Sequence, residues 1–229
     1  MISRTHNGYK SGQIDEYMFR CSSKVFRAYA DEGVTYKLTY PEEHIPNSNF
    51  AMDLKLRRAT MDDIPQLHPL IDASVRGLQV DHYSPAQIAG ALKSVYGVDT
   101  QLIKDGNYFV VTSGDLVVGS GGISFRSTLY GGDQFATRDS KLLDPEVDGA
   151  RIRAFFVHPN WARRGIAGMI IRACENAAIE AGFKKAEIGS TLSGVAFYEK
   201  MGYEALGRSD APLDDGLVLE IVKMGKGLV

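Results

Sequence analysis

The chain has 229 residues, 44% hydrophobic and 24% charged, and a formal net charge of −2, which fits one large globular domain, or one domain with an attachment, and lacks the basic footprint of a bulk nucleic-acid binder. Its two cysteines, Cys21 and Cys174, are too few and too far apart for a disulfide framework or a zinc site. The N-terminus lacks the apolar core of a signal peptide and no window is apolar enough to span a bilayer, so the expected location is cytoplasmic, with no membrane or nucleic-acid partner.

In chain order, "IDEYMFRCSSKVFRAYADEG" places Ile14, Tyr17, Met18, Cys21, Val25, Phe26 and Tyr29 on one helical face and predicts an amphipathic helix ending near Gly33. "VTYKLTY" reads as a strand and "PEEHIPNSNF" as a linker with two prolines. Regular patterning begins at Met52. Residues 1–51 are therefore expected to be an extension, docking or partly disordered, and 52–229 the main domain. Met52 is itself a candidate start of the chain.

In the main domain "LKLRRAT" alternates as a strand. A helix follows behind Thr60 and Asp63, spaced as a capping box, and a second helix behind Ser84 with Pro85 at its first position. "VDTQLIKDG" predicts a short helical turn, and two apolar runs around Ser113-Gly114-Asp115 a hairpin. Residues 127–150 form a long polar connection with room for one helical turn. Then come a strand ("RIRAFFVHP"), a helix ("GIAGMIIRACENAAIEAG"), a strand ("KKAEIGSTL"), a short helix ("SGVAFYEKMG") and two final strands. This order predicts an α/β fold of the α+β kind, a mixed sheet with helices on it.

The seam "FFVHPNWARRGIAG" carries the chemistry. Pro159 ends the strand because it has no amide proton. The helix behind it begins with free backbone amides at the positive end of its dipole. Gly165 and Gly168 let that backbone approach a ligand, and Arg163 and Arg164 add forked donors suited to phosphate oxygens. Alternatively, the glycines serve packing and the arginines a solvated corner.

The surrounding text resembles the GNAT family, the Gcn5-related N-acetyltransferases. The family's acyl-CoA loop, Gln/Arg-x-x-Gly-x-Gly/Ala, is matched by "ARRGIA", with Ala162 at the first position. "TLSGVAFYEKMGY" resembles the family's Asn-x-x-Ala-x-x-Phe-Tyr-Glu-Lys-x-Gly-Phe, with Thr191 in place of Asn and Gly194 in place of Ala. The hairpin and the opening "LKLRRATMDDIPQL" also fit, so the resemblance runs from about Leu54 to the C-terminus.

It implies a mostly antiparallel sheet flanked by helices, with a strand-helix-strand acyl-CoA site. It implies acetyl-CoA as co-substrate, no metal, and direct transfer of the acetyl group to a primary amine, expected on a small molecule. Protein N-termini or lysines, or a non-catalytic acyl-CoA-binding module, are the alternatives. The implied cofactor-binding residues are Phe156 and Val157 through their backbones on a bulged strand, then Arg163, Arg164, Gly165, Ile166, Ala167, Gly168 and Thr191. Tyr198 is the implied general acid, and a homodimer is one implied assembly. No general base stands out. Glu187 and His158 are candidates better read as surface groups, as are His68 and His82. Thr191 reads equally well as a helix cap. Gly119, Gly121 and Gly122 open room either for the acyl group or for a helix packed close. The acids of residues 128–149 suit either a cationic amine or a solvated loop.

Overall fold

The computed structural model describes the backbone of residues 15–21, 24–30 and 37–39, and residues 53–135, 139, 141–213 and 216–228 in full. The chain divides into two compact units, Met1–Met52 and Asp53–Val229. In the first, β1 (Asp15–Cys21), β2 (Lys24–Ala30) and β3 (Lys37–Thr39) form an antiparallel sheet in that order. The expected helix across residues 14–29 is therefore a hairpin, with Cys21 paired to Lys24 and Phe19 to Phe26. The physical reason is composition: Tyr, Phe, Val and Cys suit extended backbone, and helical spacing in a short run does not override that preference. The strand in "VTYKLTY" is present as β3, and the proposed linker lies outside the described residues.

The second unit is built on a seven-stranded sheet. Its strands are β4 (Leu54–Arg58), β5 (Tyr108–Ser113), β6 (Leu116–Ser124), β7 (Ala150–Val157), β8 (Lys185–Thr191), β9 (Glu204–Pro212) and β10 (Val218–Gly227). They lie in the order β4-β5-β6-β7-β8-β10-β9, and every pairing is antiparallel except β7 with β8. This is the mixed sheet with helices that the element order predicts, mostly antiparallel as the family resemblance implies.

Helices cover both faces, which is why β5 and β6 read as continuous apolar runs. On one face α1 (Ile64–Leu78), α2 (Pro85–Ser94) and α3 (Thr100–Lys104) pack on Tyr108, Val110, Val117 and Phe156. On the other, α4 (Ile166–Glu180) and α5 (Val195–Lys200) pack on Phe109, Val111, Val118, Ile152 and Ile188. The buried residues of α4, Ile166, Ile170, Ile171, Cys174, Ala177 and Ala178, follow the helical period. Local signals set the ends: α2 begins in a capping box in which Gln87 N–H donates to Ser84 Oγ and Ser84 N–H to Gln87 Oε1. Asp63 accepts from Thr60 N–H at 2.8 Å and from the Arg57 fork at 2.6 and 2.7 Å. Of the connection from β6 to β7, the helical turn is found at Asp144–Asp148, where Asp148 N–H donates to Asp144 C=O.

Two glycines of β6 decide how close α4 sits. A Cβ at Gly119 would lie 2.5 Å from Ile166 Cγ2, and one at Gly121 2.6 Å from Phe155 Cδ2 and 2.7 Å from Ile170 Cγ2. They serve the approach of the helix. Gly122 faces the other way, with Leu102, Asn107 and Tyr108 around it. Because Ile166 opens α4, Gly119 also fixes where that helix begins. Gly119→Ala should lower stability by about 1–3 kcal/mol through overpacking, measurable as a shift in the urea midpoint with an unchanged slope.

Candidate active site

The site is built on an irregularity in β7. Gly122 pairs with Arg153 and Ser120 with Phe156, so Ala154 and Phe155 stand opposite the single residue Gly121. This is a β-bulge, and Ala154 takes φ +51° to make it. The inserted residue flips the alternation of side chains: Ala150 and Ile152 face α4, whereas Phe156 faces α1 and Phe155 and Val157 face α4 and α5.

The ladder also fixes where the backbone groups point. Ile123 N–H donates to Asn107 C=O on the β5 side, and His158 N–H to Val118 C=O. Alternation along an antiparallel ladder then turns Ser120 and Gly122 toward β7, and Gly119 and Gly121 toward β5. Gly121 thus has no polar group for the bulge, and the Ala154–Phe155 peptide has no partner on β6. Phe156 has its N–H and C=O directed at Ser120. The expectation that Phe156 offers its backbone to a ligand therefore shifts to its neighbours, Phe155 and Val157, whose amides face away from β6.

On that other side β7 meets β8 only at Ala150–Ile152, paired with Ala186–Ile188. Beyond this the two strands diverge, and Gly189, Ser190 and Thr191 pair with β10. Val157 N–H, on the diverging edge, donates to Ser74 Oγ of α1 at 3.2 Å. The same end of α1 meets the next loop, where Gly77 packs directly on Pro159.

After Pro159 a short 3-10 turn, Pro159–Trp161, leads into Arg163 at φ +59° and Gly165 at φ +82°. Left-handed Gly165 followed by the helical Ile166 turns successive N–H groups to one side, the arrangement of an anion-binding nest. No side chain caps α4, so the N–H groups of Ile166, Ala167 and Gly168 have no capping acceptor. A Cβ at Gly165 would meet nothing within 4 Å, so glycine is required there by φ. A Cβ at Gly168 would meet only the Arg172 guanidinium, at 3.4 Å. Arg163 is exposed, whereas the Arg164 guanidinium lies over the buried Trp161 ring, 5.2 Å from its centroid.

Tyr198 projects from α5 into the same region. Its ring is edge-on to Phe155 (5.9 Å), Phe197 (5.0 Å) and Tyr203 (5.8 Å). Burial pushes its phenol pKa well up, so it is protonated at neutral pH, a donor and not a base. Gly194 lets the parts close together: a Cβ there would lie 3.1 Å from Tyr198 Cε2, 2.9 Å from Ser190 Oγ and 3.4 Å from Thr191 Oγ1. Thr191 occupies a cap position, but its hydroxyl pairs with Ser193 Oγ at 3.0 Å and caps no backbone group.

The other candidates separate. Glu187 is bound by Arg151 and by Lys223 Nζ at 2.9 Å, a structural ion cluster. His158, expected at the surface, is buried; its Nδ1 accepts from Asn160 N–H at 3.2 Å, and desolvation lowers its pKa. His68 and His82 are exposed. Asp133 and Asp139 line a polar cavity of about 230 Å³ together with Arg126 and Arg153; Asp133 accepts from Thr100 N–H at 3.1 Å and Asp139 from Lys141 N–H at 2.9 Å. Arg153 pairs with buried Asp99, the cap of α3, and donates to Gly131 C=O at 2.6 Å, tying the long connection to β7 beside the bulge.

Three residues here escape a reading of the sequence: Ser74, Tyr108 and Tyr83. Tyr83 donates to Glu220 C=O at 2.6 Å and accepts from Leu192 N–H at 2.9 Å, joining the approach to α2 to the ends of β8 and β10. The one available signal is that a buried hydroxyl needs a partner, and it does not name that partner.

Residues 104–205 match the family model described as the acetyltransferase (GNAT) domain. Comparison with curated proteins gives no match. Among solved structures, the chain is similar to a GCN5-related N-acetyltransferase from Rhodopseudomonas palustris, at TM-score 0.57 and 22% identity, over 78% of this chain and 98% of that one. It is also similar to the PaiA N-acetyltransferase of Thermoplasma acidophilum, solved in complex with coenzyme A (TM-score 0.51, 12% identity, 77% and 99% of the two chains). YncA of Salmonella typhimurium, solved with its cofactor acetyl-CoA, gives TM-score 0.52 and 15% identity over 77% of this chain and 95% of that one. The bulged β7, its divergence from β8 and the loop into α4 thus lie in the fold those proteins share, and within residues 104–205, which match the GNAT acetyltransferase domain model.

Proposed function

We propose that the protein transfers an acetyl group from acetyl-CoA to a primary amine, with a small molecule as the acceptor. The observation that carries the reading is a clustering of strain. The two non-glycine residues with positive φ among the described residues, Ala154 and Arg163, lie at the bulge and in the loop before α4. Backbone held in sparsely populated regions concentrates at functional sites. Here one strained point adjoins the Phe155 amide of β7 and the other lies in the loop just before the amides of Ile166 to Gly168.

The fit to acetyl-CoA follows from the chemistry of these two groups of amides. The diverging part of β7 offers main-chain groups to an extended amide-bearing arm, in the manner of strand addition. The N–H groups of Gly165 to Gly168, with Arg163, suit a diphosphate. The thioester would supply the activated acetyl group. Phe155 N–H is the donor in this reading for the oxyanion that forms during transfer. Tyr198, protonated and against Phe155, is the general acid for the departing thiolate. Thr191 and the divergent end of β8 border the same arm. The amine's proton goes to water or to a base on the acceptor, since Glu187 is engaged and His158 is turned to a backbone amide. An acceptor on a protein N-terminus or lysine is the alternative. A screen of small amines and of lysine- and N-terminal peptides with acetyl-CoA, following thiol release, decides between them. Release with none of them would leave a binding module.

Three outcomes test the assignment. Gly165→Val forces a β-branched residue to φ +82°. It should weaken CoA binding by tenfold or more, since left-handed backbone costs an L-residue about 1–2 kcal/mol even before steric exclusion; calorimetric titration measures it. Tyr198→Phe should reduce turnover by roughly 10- to 1,000-fold with little change in CoA affinity. Unchanged turnover would remove Tyr198 from the chemistry. Finally, a chain begun at Met52 should keep its affinity for acetyl-CoA, and loss of cooperative unfolding in that chain would show that residues 1–51 belong to the folding unit.

A further inference from the structure

Tyr108 is completely buried at the start of β5, where a phenylalanine would fill the same space. Its hydroxyl therefore has to be accounted for. The phenol oxygen lies 3.1 Å from Ser120 Oγ on β6 and 3.3 Å from the carbonyl oxygen of Ala154, the left-handed residue of the bulge. A phenol has one proton and Ser120 has its own. In both contacts the phenol is the donor, so its one proton is shared between Ser120 Oγ and Ala154 C=O. Burial keeps the phenol protonated throughout the ordinary pH range.

The carbonyl of Ala154 and the N–H of Phe155 belong to one planar trans peptide, so they point in opposite directions. A donor that fixes the carbonyl fixes the amide. It also draws charge from the peptide and strengthens the N–H as a donor, as hydrogen bonds in series do. No group on β6 competes, because the opposite residue, Gly121, faces β5. The register of the bulge and the reach of Tyr108 thus converge on one peptide bond.

We propose that Tyr108, whose proton Ser120 shares, is a positioning residue for acetyl transfer: through the Ala154 carbonyl it aims Phe155 N–H at the thioester carbonyl oxygen and its oxyanion. The proposal rests on the acetyl-CoA reading of the β7 edge.

The test uses the full chain and acetyl-CoA labelled with carbon-13 at the thioester carbonyl. Isotope-edited infrared spectroscopy of the bound thioester reports the donor at its oxygen, and the measurement needs no acceptor amine. In Tyr108→Phe the carbonyl band should move to higher frequency than in the unaltered protein. Ser120→Ala removes the competing acceptor, so it should move the band the opposite way, to lower frequency. Transfer to an amine found in the screen should fall about 10- to 100-fold in Tyr108→Phe, below the hundred- to thousandfold range for removing an oxyanion donor outright. CoA, which lacks the acetyl carbonyl, should bind within about twofold of the unaltered protein. An unmoved band in both variants overturns the proposal, as does a loss of CoA affinity that matches the loss of rate, since that is the signature of general structural damage. If the unaltered protein binds no acetyl-CoA, the underlying reading fails, and that result is separate from an unmoved band in a protein that binds it.

Discussion

One inserted residue in β7 makes a stretch of peptide unavailable to the strand on either side. Gly121 faces β5, so β6 cannot take the Ala154–Phe155 peptide, and β8 has already diverged from β7 after Ile152. An exposed strand edge ordinarily invites pairing with another chain. Here the edge is enclosed between α1 and α5 and leads into the uncapped end of α4, so what it can accept is a slender extended ligand with a charged end. The parity change at the bulge also sorts the aromatic rings. Phe156 goes to the α1 side against Tyr96, and Phe155 goes to the α5 side against Tyr198. Without that change Phe155 would face away from the residue to which the acid role is assigned.

The rest of the domain holds this irregularity in place. α4 lies against Gly119 and Gly121, so its first turn is set relative to the bulge by contacts with no slack. α1 is anchored at two points. Gln66 grips the β5–β6 hairpin through Asp115 C=O and Val117 N–H, and Gly77 closes on Pro159 at the head of the loop into α4. Arg153, one residue before Ala154, is buried against Asp99. A buried pair of this kind contributes little net stability, but removing one partner strands a charge, which makes the geometry beside the bulge hard to deform.

Much of this was legible in the residues, and the parts that were not have physical causes. Helical periods in α1, α2 and α4, the Ser84 cap and the Gly114 turn are local signals and carried the fold. The N-terminal hairpin was misread because "EYMFRCSSKVFRAY" satisfies a helical face as well as two strands, and only strand pairing separates the two. Gly165 was legible as a residue of the loop, although conformation, more than space, requires it. The bulge was not legible in "RIRAFFV", since no residue in it favours positive φ. The ladder parity that sets Phe155 and Val157 apart from Phe156 needs the register of two other strands. Tyr108 hid for the same reason: in "NYFVV" a tyrosine looks like any strand aromatic until its hydroxyl is traced to a peptide 46 residues away.

The bond from Val157 N–H to Ser74 Oγ has a consequence of its own. A carbonyl that came to this amide would replace an acceptor already present, so the exchange would yield little of the net benefit of a new hydrogen bond. On the proposed acetyl-CoA reading, tight capture would then draw on the phosphate end, and the middle of the arm would be held for alignment more than for strength. Such a division lets a spent carrier leave readily once its anionic terminus lets go.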